Sequence, residues 1–294
     1  MLAFELIVQG LVQGSIYALI AVGLTLVYGL LRILHVAHAG LFTLGGYFCV
    51  LITNLLVGVL PSPTGSFAIA VILSMVVVGV LGIVIYRLCY QPILDKPPYV
   101  ALIASIGLFI AMEELFRLVF GPYGISYTNP PMAESVEFLF TSLKQAEVLT
   151  MLGAIVLIGG LAVLASRTRL GVAWRATVTD PEMAQSFGID IIKVRYLNFF
   201  IGSALAAAAG GLVALLSNLV EPTMGSVPSY KALAIIVLGG LGDVRGTLIA
   251  ALALGVIESF GTIYLGDILD RDAIAFAFLI VVLMLRPQGL FRSA

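Results

Sequence analysis

Residues 6–31 read LIVQGLVQGSIYALIAVGLTLVYGLL, a run without one Asp, Glu, Lys or Arg. A helix rises ~1.5 Å per residue and a bilayer's hydrocarbon core is ~30 Å thick, so about 20 apolar residues cross it. The run exceeds that length, and it is too long for the apolar core of a cleaved signal peptide; no basic cluster precedes it either. An uncleaved first membrane span is expected. The rest of the chain has the same character. Of 294 residues, 61% are hydrophobic and only 11% charged, with a mean hydropathy of +1.14, whereas about a quarter of a soluble chain is charged. This is more apolar surface than a soluble domain of this length can bury. The composition describes an integral membrane protein and excludes a soluble enzyme or a nucleic-acid binder that works through a basic field. Cys49 and Cys89 have neither the density of a disulfide framework nor the spacing of metal ligands.

Dividing the chain at charges and at Pro, Gly and Asn clusters predicts nine apolar segments, near 5–31, 39–60, 66–86, 99–120, 148–165, 196–220, 222–242, 246–265 and 271–286. The fold class is therefore all-α: one polytopic transmembrane bundle of about 8–9 segments over residues 1–294. Its separators are short. Pro61-Ser62-Pro63-Thr64-Gly65 reads as a tight turn, and residues 87–98 form a polar linker closed by Pro97-Pro98.

Two connections are longer and differ in sign. Residues 121–147 carry Glu134, Glu137 and Glu147 against Lys144. Residues 166–195 carry Arg167, Arg169, Arg175, Lys193 and Arg195 against Asp180, Glu182 and Asp190. Lys and Arg are retained on the cytoplasmic side of membranes, so the second loop is expected inside and the first outside. Threading from there puts the N-terminus outside, and Arg32, Arg87, Lys96, Arg245, Arg286 and Arg292 inside.

Two stretches read as interrupted helices. Residues 31–46 are LRILHVAHAGLFTLGG and residues 239–247 are GGLGDVRGT. Backbone released from helical hydrogen bonding at membrane depth persists only against protein or a water-filled cavity, and paired interruptions point to a transport pathway between structural repeats. The candidate pathway residues are His35, His38, Gly40 and Thr43 in the first stretch and Gly239, Gly240 and Gly242 in the second. His35 and His38 lie three apart, but without a third ligand nearby they make too thin a set for a metal site, and none is expected.

Within the basic loop, residues 169–189 read RLGVAWRATVTDPEMAQSFGI. Thr179 or Asp180 suits an N-cap, Pro181 the first helical position, Glu182 the positive end of the helix dipole, and Gly188 the C′ stop. The result is a two-turn helix with Met183, Ala184 and Phe187 as its apolar stripe. Alone, a helix this short is unstable, so it needs a surface to dock on.

Here the residues become recognisable. Arg175-Ala176, then Asp180, Glu182, Ala184 and Gly188-Ile189, resemble the cytoplasmic loop of permeases of the branched-chain amino acid ABC importers, the LivH-like family. Residues 13–19 (QGSIYAL) with 23–29 (GLTLVYG) are similar to that family's first span. Lys231-Ala232-Leu233 with residues 239–246 are similar to its late glycine-rich segment, and residues 286–291 (RPQGLF) to its C-terminal tail. The likeness covers essentially the whole chain. It implies a transport subunit, not an enzyme, that imports a small polar solute, most naturally branched-chain amino acids, across the cytoplasmic membrane of a bacterium or archaeon. It also implies a second homologous permease, two ATP-binding subunits that hold ATP and Mg, and a soluble binding protein outside. The helix near 180–188 would be the coupling helix, with Arg175, Asp180, Pro181, Glu182, Met183, Ala184, Phe187 and Gly188 as its contacts. One departure stands out: the family often reads Asn-Phe-Ala-His-Gly followed by an acidic residue, where this chain has His35-Val36-Ala37-His38-Ala39-Gly40. Urea, short amides and small organic acids are the alternative substrates the likeness allows.

Charge inside a span is costly and marks candidate functional residues. Glu113, Glu114 and Arg117 share one turn, which gives them a bland explanation as mutual partners; Lys231 and Glu258 each stand alone in their spans. A self-sufficient secondary transporter or channel using Glu113, Glu114 or Glu258 for protons is the rival reading, but it leaves the capped cytoplasmic helix without a purpose. No phosphate-binding Gly-x-x-x-x-Gly-Lys-[Ser/Thr] loop, Gly-x-Ser-x-Gly elbow or His-Glu-x-x-His helix occurs, so ATP hydrolysis is assigned to partners.

Overall fold

The computed structural model describes residues 2–57, 62–132, 134–138, 141–266 and 268–285. Pro61 of the expected turn and the whole 286–292 tail, including Arg286 and Arg292, lie outside them. The helices are α1 (Leu2–Leu31), α2 (His38–Val57), α3 (Pro63–Ile85), α4 (Pro98–Phe120), α5 (Gln145–Arg167), α6 (Arg169–Thr179), α7 (Pro181–Ser186), α8 (Ile191–Ser217), α9 (Ser226–Gly239), α10 (Val244–Leu265) and α11 (Arg271–Leu285). Seven are long and apolar enough to cross a membrane, and α9 is a shorter apolar helix. Ser62 caps α3 through the Gly65 amide at 3.2 Å, with Pro63 opening the helix. Asp190 caps α8 through the Lys193 amide, and that hydrogen bond together with the Lys193 ion pair holds its carboxyl below its ordinary value.

Helices that are apolar all round carry no amphipathic stripe to say which face goes inward. Small residues decide it, because only they let backbones approach. Gly10 and Gly14 of α1 lie against Gly255 and Ala251 of α10; Gly23 of α1 lies against Gly202 of α8; Gly45 of α2 lies against Ala207 of α8. The consequence is a bundle built around two axles. In the apolar windows of α1 and α8, 83% and 78% of residues are buried, against 28% in α3 and α4 and 17% in α5.

The pairings run antiparallel for α1 with α10 and for α1 with α8, so α8 and α10 run in the same sense, with the shorter α9 between them. One end carries α6 and α7. The other carries a hairpin of β1 (Ser135–Phe138) and β2 (Thr141–Lys144), with Ser135 opposite Lys144, and an isolated bridge between Ile125 and Val220.

Three features correct the sequence reading. The basic loop is largely helical: α6 fills residues 169–179 and α8 begins at Ile191, ahead of the predicted 196. The hairpin adds a little strand to the all-α expectation. The second long interruption falls at residues 218–225, between α8 and α9, while residues 240–243 are only a tight turn. Both interruptions begin with a non-glycine residue in the left-handed region, Arg32 (φ 56) after α1 and Asn218 (φ 54) after α8. They lead from opposite ends of the bundle to helices that start side by side, Gly225 packing on Ala39 and Thr43. The two interruptions are thus related in inverted sense.

Candidate functional site

At the α6–α7 end, Asp180 ends one helix and starts the next. Its amide donates to the Ala176 carbonyl (3.0 Å), and its carboxylate accepts from the Met183 amide (2.9 Å). No flexible residue separates α6 from α7. Pro181 takes the first helical position and Glu182 the first turn. Gly188, at φ +83, closes α7: its amide donates to Gln185 (2.9 Å) and the Ile189 amide to Ala184 (3.1 Å), the paired bonds of a Schellman stop. Met183 and Phe187 are exposed, Phe187 at 81%, whereas Ala184 is buried at 3%. The expected stripe is therefore split, with Ala184 turned into the protein and Met183 and Phe187 free. Arg175 donates to the Ala165 carbonyl at the end of α5, and Thr168 caps α6 through the Gly171 amide at 3.2 Å. Arg175 is thus engaged within the chain and anchors α6 to α5.

The first interruption gathers a buried polar cluster. His35 Nδ1 lies 2.6 Å from the Tyr90 hydroxyl, which donates to Ser105 Oγ (2.8 Å); Ser105 also accepts the Ala37 amide (3.0 Å). Tyr90 is placed for this by a π-helical turn, Tyr86–Tyr90, that continues α3; such turns commonly re-aim side chains at functional places. The His38 ring fills the space left by Gly23, and both its nitrogens, like His35 Nε2, have no partner among the described residues. Gly40 faces Met112 of α4, and Thr43 bonds back to the Ala39 carbonyl (3.1 Å). The second predicted stretch lies further along α1. Gly239 packs on Gly246 and Thr247, Gly240 (φ 98) and Gly242 (φ 89) make the turn, and Gly242 faces Gly29. Thr25 and Thr247 join hydroxyls at 2.9 Å. The two stretches meet α1 within two turns of each other, at Gly23 and Gly29.

The two solitary intramembrane charges find each other. Lys231 Nζ lies 2.8 Å from Glu258, 2.8 Å from Asp272 and 3.0 Å from the Tyr17 hydroxyl. The other Glu258 oxygen accepts from Tyr17 (2.7 Å) and from Arg271 Nε (3.1 Å). Two cations and two anions balance within a knot that joins α1, α9, α10 and α11, and Lys231 and Glu258 are almost wholly buried. Glu113 and Glu114 both pair with Arg117, at 2.8 and 2.6 Å, on the outer surface of α4.

The sequence pattern of the family described as "Branched-chain amino acid transport system / permease component" matches residues 6–285. The chain belongs to this permease family. It is 32% identical to the high-affinity branched-chain amino acid transport permease BraD of Pseudomonas aeruginosa over 97% of this chain and 94% of that one. It is equally 32% identical to LivH of Escherichia coli K12 (96% and 93%), and 26% identical to LivM of the same organism over 94% of this chain and 67% of that one. It also overlays on a chain of PsaBC from Streptococcus pneumoniae, solved with a Fab, at a TM-score of 0.45 and 12% identity over 98% and 91% of the two chains, a likeness too distant to carry inference.

In this multi-pass permease several residues of the buried clusters escaped sequence reasoning: Tyr17, Tyr90, Ser105, Arg271 and Asp272. The Arg271-Asp272 doublet opening a helix was the available signal. The tyrosines look like any other aromatic residue in an apolar run until the fold brings a charge to them.

Proposed function

We propose that this permease imports branched-chain amino acids, driven by ATP that two partner subunits, loaded with Mg, bind and hydrolyse. It pairs with a second homologous permease and takes its solute from a soluble binding protein outside the cytoplasmic membrane of a bacterium or archaeon. The substrate class follows from BraD and LivH, both high-affinity branched-chain amino acid permeases, and the homologous LivM permease supports the pairing. One observation carries the reading: α7, fixed at both ends by Asp180 and Gly188, holds Met183 and Phe187 out on the end that the charge pattern assigns to the cytoplasm.

The mechanical logic follows from the bonds. An ATP-binding subunit that buries Met183 and Phe187 gains ~1.5–3 kcal/mol for each side chain fully covered. A push on α7 passes to α6 through the shared Asp180 and to α5 through Arg175 and Thr168. The direct packing of α7 on α8 carries it to the start of α8. Displacement of α8 acts on Gly202 and so on α1, beside the His35–His38 interruption. The solute pathway is assigned to this region, where the two inverted interruptions bring the starts of α2 and α9 together.

The test is leucine uptake by the complex reconstituted in vesicles, with the Met183→Asp/Phe187→Asp variant, which keeps Asp180 and Gly188. Uptake and co-purification of the ATP-binding subunits are expected to be lost while the permease still inserts. A variant that retains both would overturn the reading.

A further inference from the structure

At the hairpin end an open cleft of ≈ 500 Å³ lies between α1, α5, α8, α10 and α11. Its volume is within the ~300–1,000 Å³ range of small-molecule sites, and its lining is unusual for a surface that borders lipid. Two cations, Lys144 and Arg271, and two anions, Glu5 and Glu147, line it together with the apolar Leu6, Leu216 and Ile263. Gln9 and Gln13 add neutral polar groups along α1. A site for a simple anion or cation carries an excess of one sign. Balanced charges of both signs beside an apolar wall match a molecule with the same three parts.

We propose that this cleft is an acceptor site for a zwitterionic amino acid with an apolar side chain. The inference rests on the importer reading and assigns its solute a first docking place on this chain. The carboxylate meets Arg271 and Lys144, the ammonium meets Glu147 and Glu5, and the side chain lies on the leucine–isoleucine wall. Arg271 is suited to its part. Of the five donors of a guanidinium, only Nε–H is engaged among the described residues, with Glu258 at 3.1 Å, and the side chain is 44% exposed. Glu147 is held in place by the Lys144 amide (3.0 Å) and the Gln9 side chain (3.3 Å), each using one lone pair of a different oxygen and leaving others free for an ammonium. Behind Arg271 lies the fully buried Glu258. A carboxylate that draws on Arg271 competes with Glu258 for it, so occupancy of the cleft is felt by the buried Lys231 knot.

The probe is radiolabelled L-leucine, measured by scintillation proximity on the purified complex in nanodiscs without binding protein. Two half-molecules serve as competitors: 4-methylpentanoate, which lacks the ammonium, and isoamylamine, which lacks the carboxylate. Saturable leucine binding that neither competitor displaces at equal concentration is expected. Glu147→Gln keeps the capping arrangement, because glutamine serves in it as glutamate does. It should weaken leucine about tenfold while leaving 4-methylpentanoate unchanged; Arg271→Gln should likewise weaken leucine about tenfold while leaving isoamylamine unchanged. Absence of saturable leucine binding overturns the proposal, as does a Glu147→Gln variant that weakens leucine and 4-methylpentanoate alike, the mark of a merely structural role. So does a variant that changes only the affinity of the complex for its binding protein, the mark of a protein–protein contact. The importer reading stands or falls separately, on whether ATP-binding subunits co-purify, because leucine binding to the cleft is scored whether or not they do.

Discussion

Replacing Lys231 by methionine tests whether the buried knot is a true ion cluster. The substitution keeps the length of the side chain and removes its charge, leaving Glu258 fully buried. Breaking a buried pair from one side costs ~3–5 kcal/mol. Glu258 retains Tyr17 at 2.7 Å and Arg271 at 3.1 Å, which places the loss near the lower end, about 3 kcal/mol or roughly a hundredfold in the unfolding equilibrium. Glu258→Gln strands Lys231 less completely, since Asp272 stays 2.8 Å away, and should cost about 2 kcal/mol by the same reasoning. The double variant Lys231→Met/Glu258→Leu removes both buried charges. Arg271 and Asp272, each nearly half exposed, can then turn to water, so the remaining cost is the buried Tyr17 hydroxyl left without Lys231 and Glu258, about 2 kcal/mol. Unfolding in mixed micelles, followed by circular dichroism, measures all three. A double variant as unstable as the sum of the singles would refute the reasoning, because independent sites add and coupled ones do not.

Other outcomes follow from contacts already described. Gly255→Leu drives a side chain into the Gly10 and Gly14 backbone and should abolish folding, seen as loss of the monodisperse peak on size exclusion, whereas Gly107→Leu meets nothing within 4 Å and should shift stability by less than ~0.5 kcal/mol. Tyr90→Phe removes the hydroxyl 2.6 Å from His35 and should cost ~1–3 kcal/mol in the same unfolding assay, the usual penalty for orphaning a buried polar group. Gly188→Ala has no steric neighbour but a φ of +83. It should cost about 1 kcal/mol and weaken capture of the ATP-binding subunits about fivefold in a pull-down titration.

Helix by helix, the chain was readable because span length is a one-dimensional property: a long run without charge must be helical where nothing else can satisfy its backbone. The division at Glu221 marked a break there but hid the length of the irregular stretch at 218–225, because Leu219 and Val220 continue the apolar run across Asn218. Also hidden was α6, whose mixed composition resembles a loop and whose cap, Thr168, sits among arginines. The caps of α7 were legible from Asp180, Pro181 and Gly188, since capping is decided within a few residues. Which way Ala184 faces was not, because that depends on tertiary packing. Least legible was the meeting of Lys231 with Glu258, side chains on two different helices that only the tertiary fold brings to 2.8 Å.

The central place of α1 has a consequence for how the protein is made. Tyr17 and its partner Glu258 are separated by 241 positions, and synthesis proceeds at ~5–20 residues per second. For roughly 10 to 50 seconds after α1 enters the bilayer, the helix destined for the deepest position has lipid where α10 will be, its Gly10–Gly14 groove uncovered. Nascent chains arrested before α10 should therefore be the substrates that membrane proteases and insertion chaperones meet most often. Cross-linkers placed at Gly14 would record the moment when lipid gives way to protein.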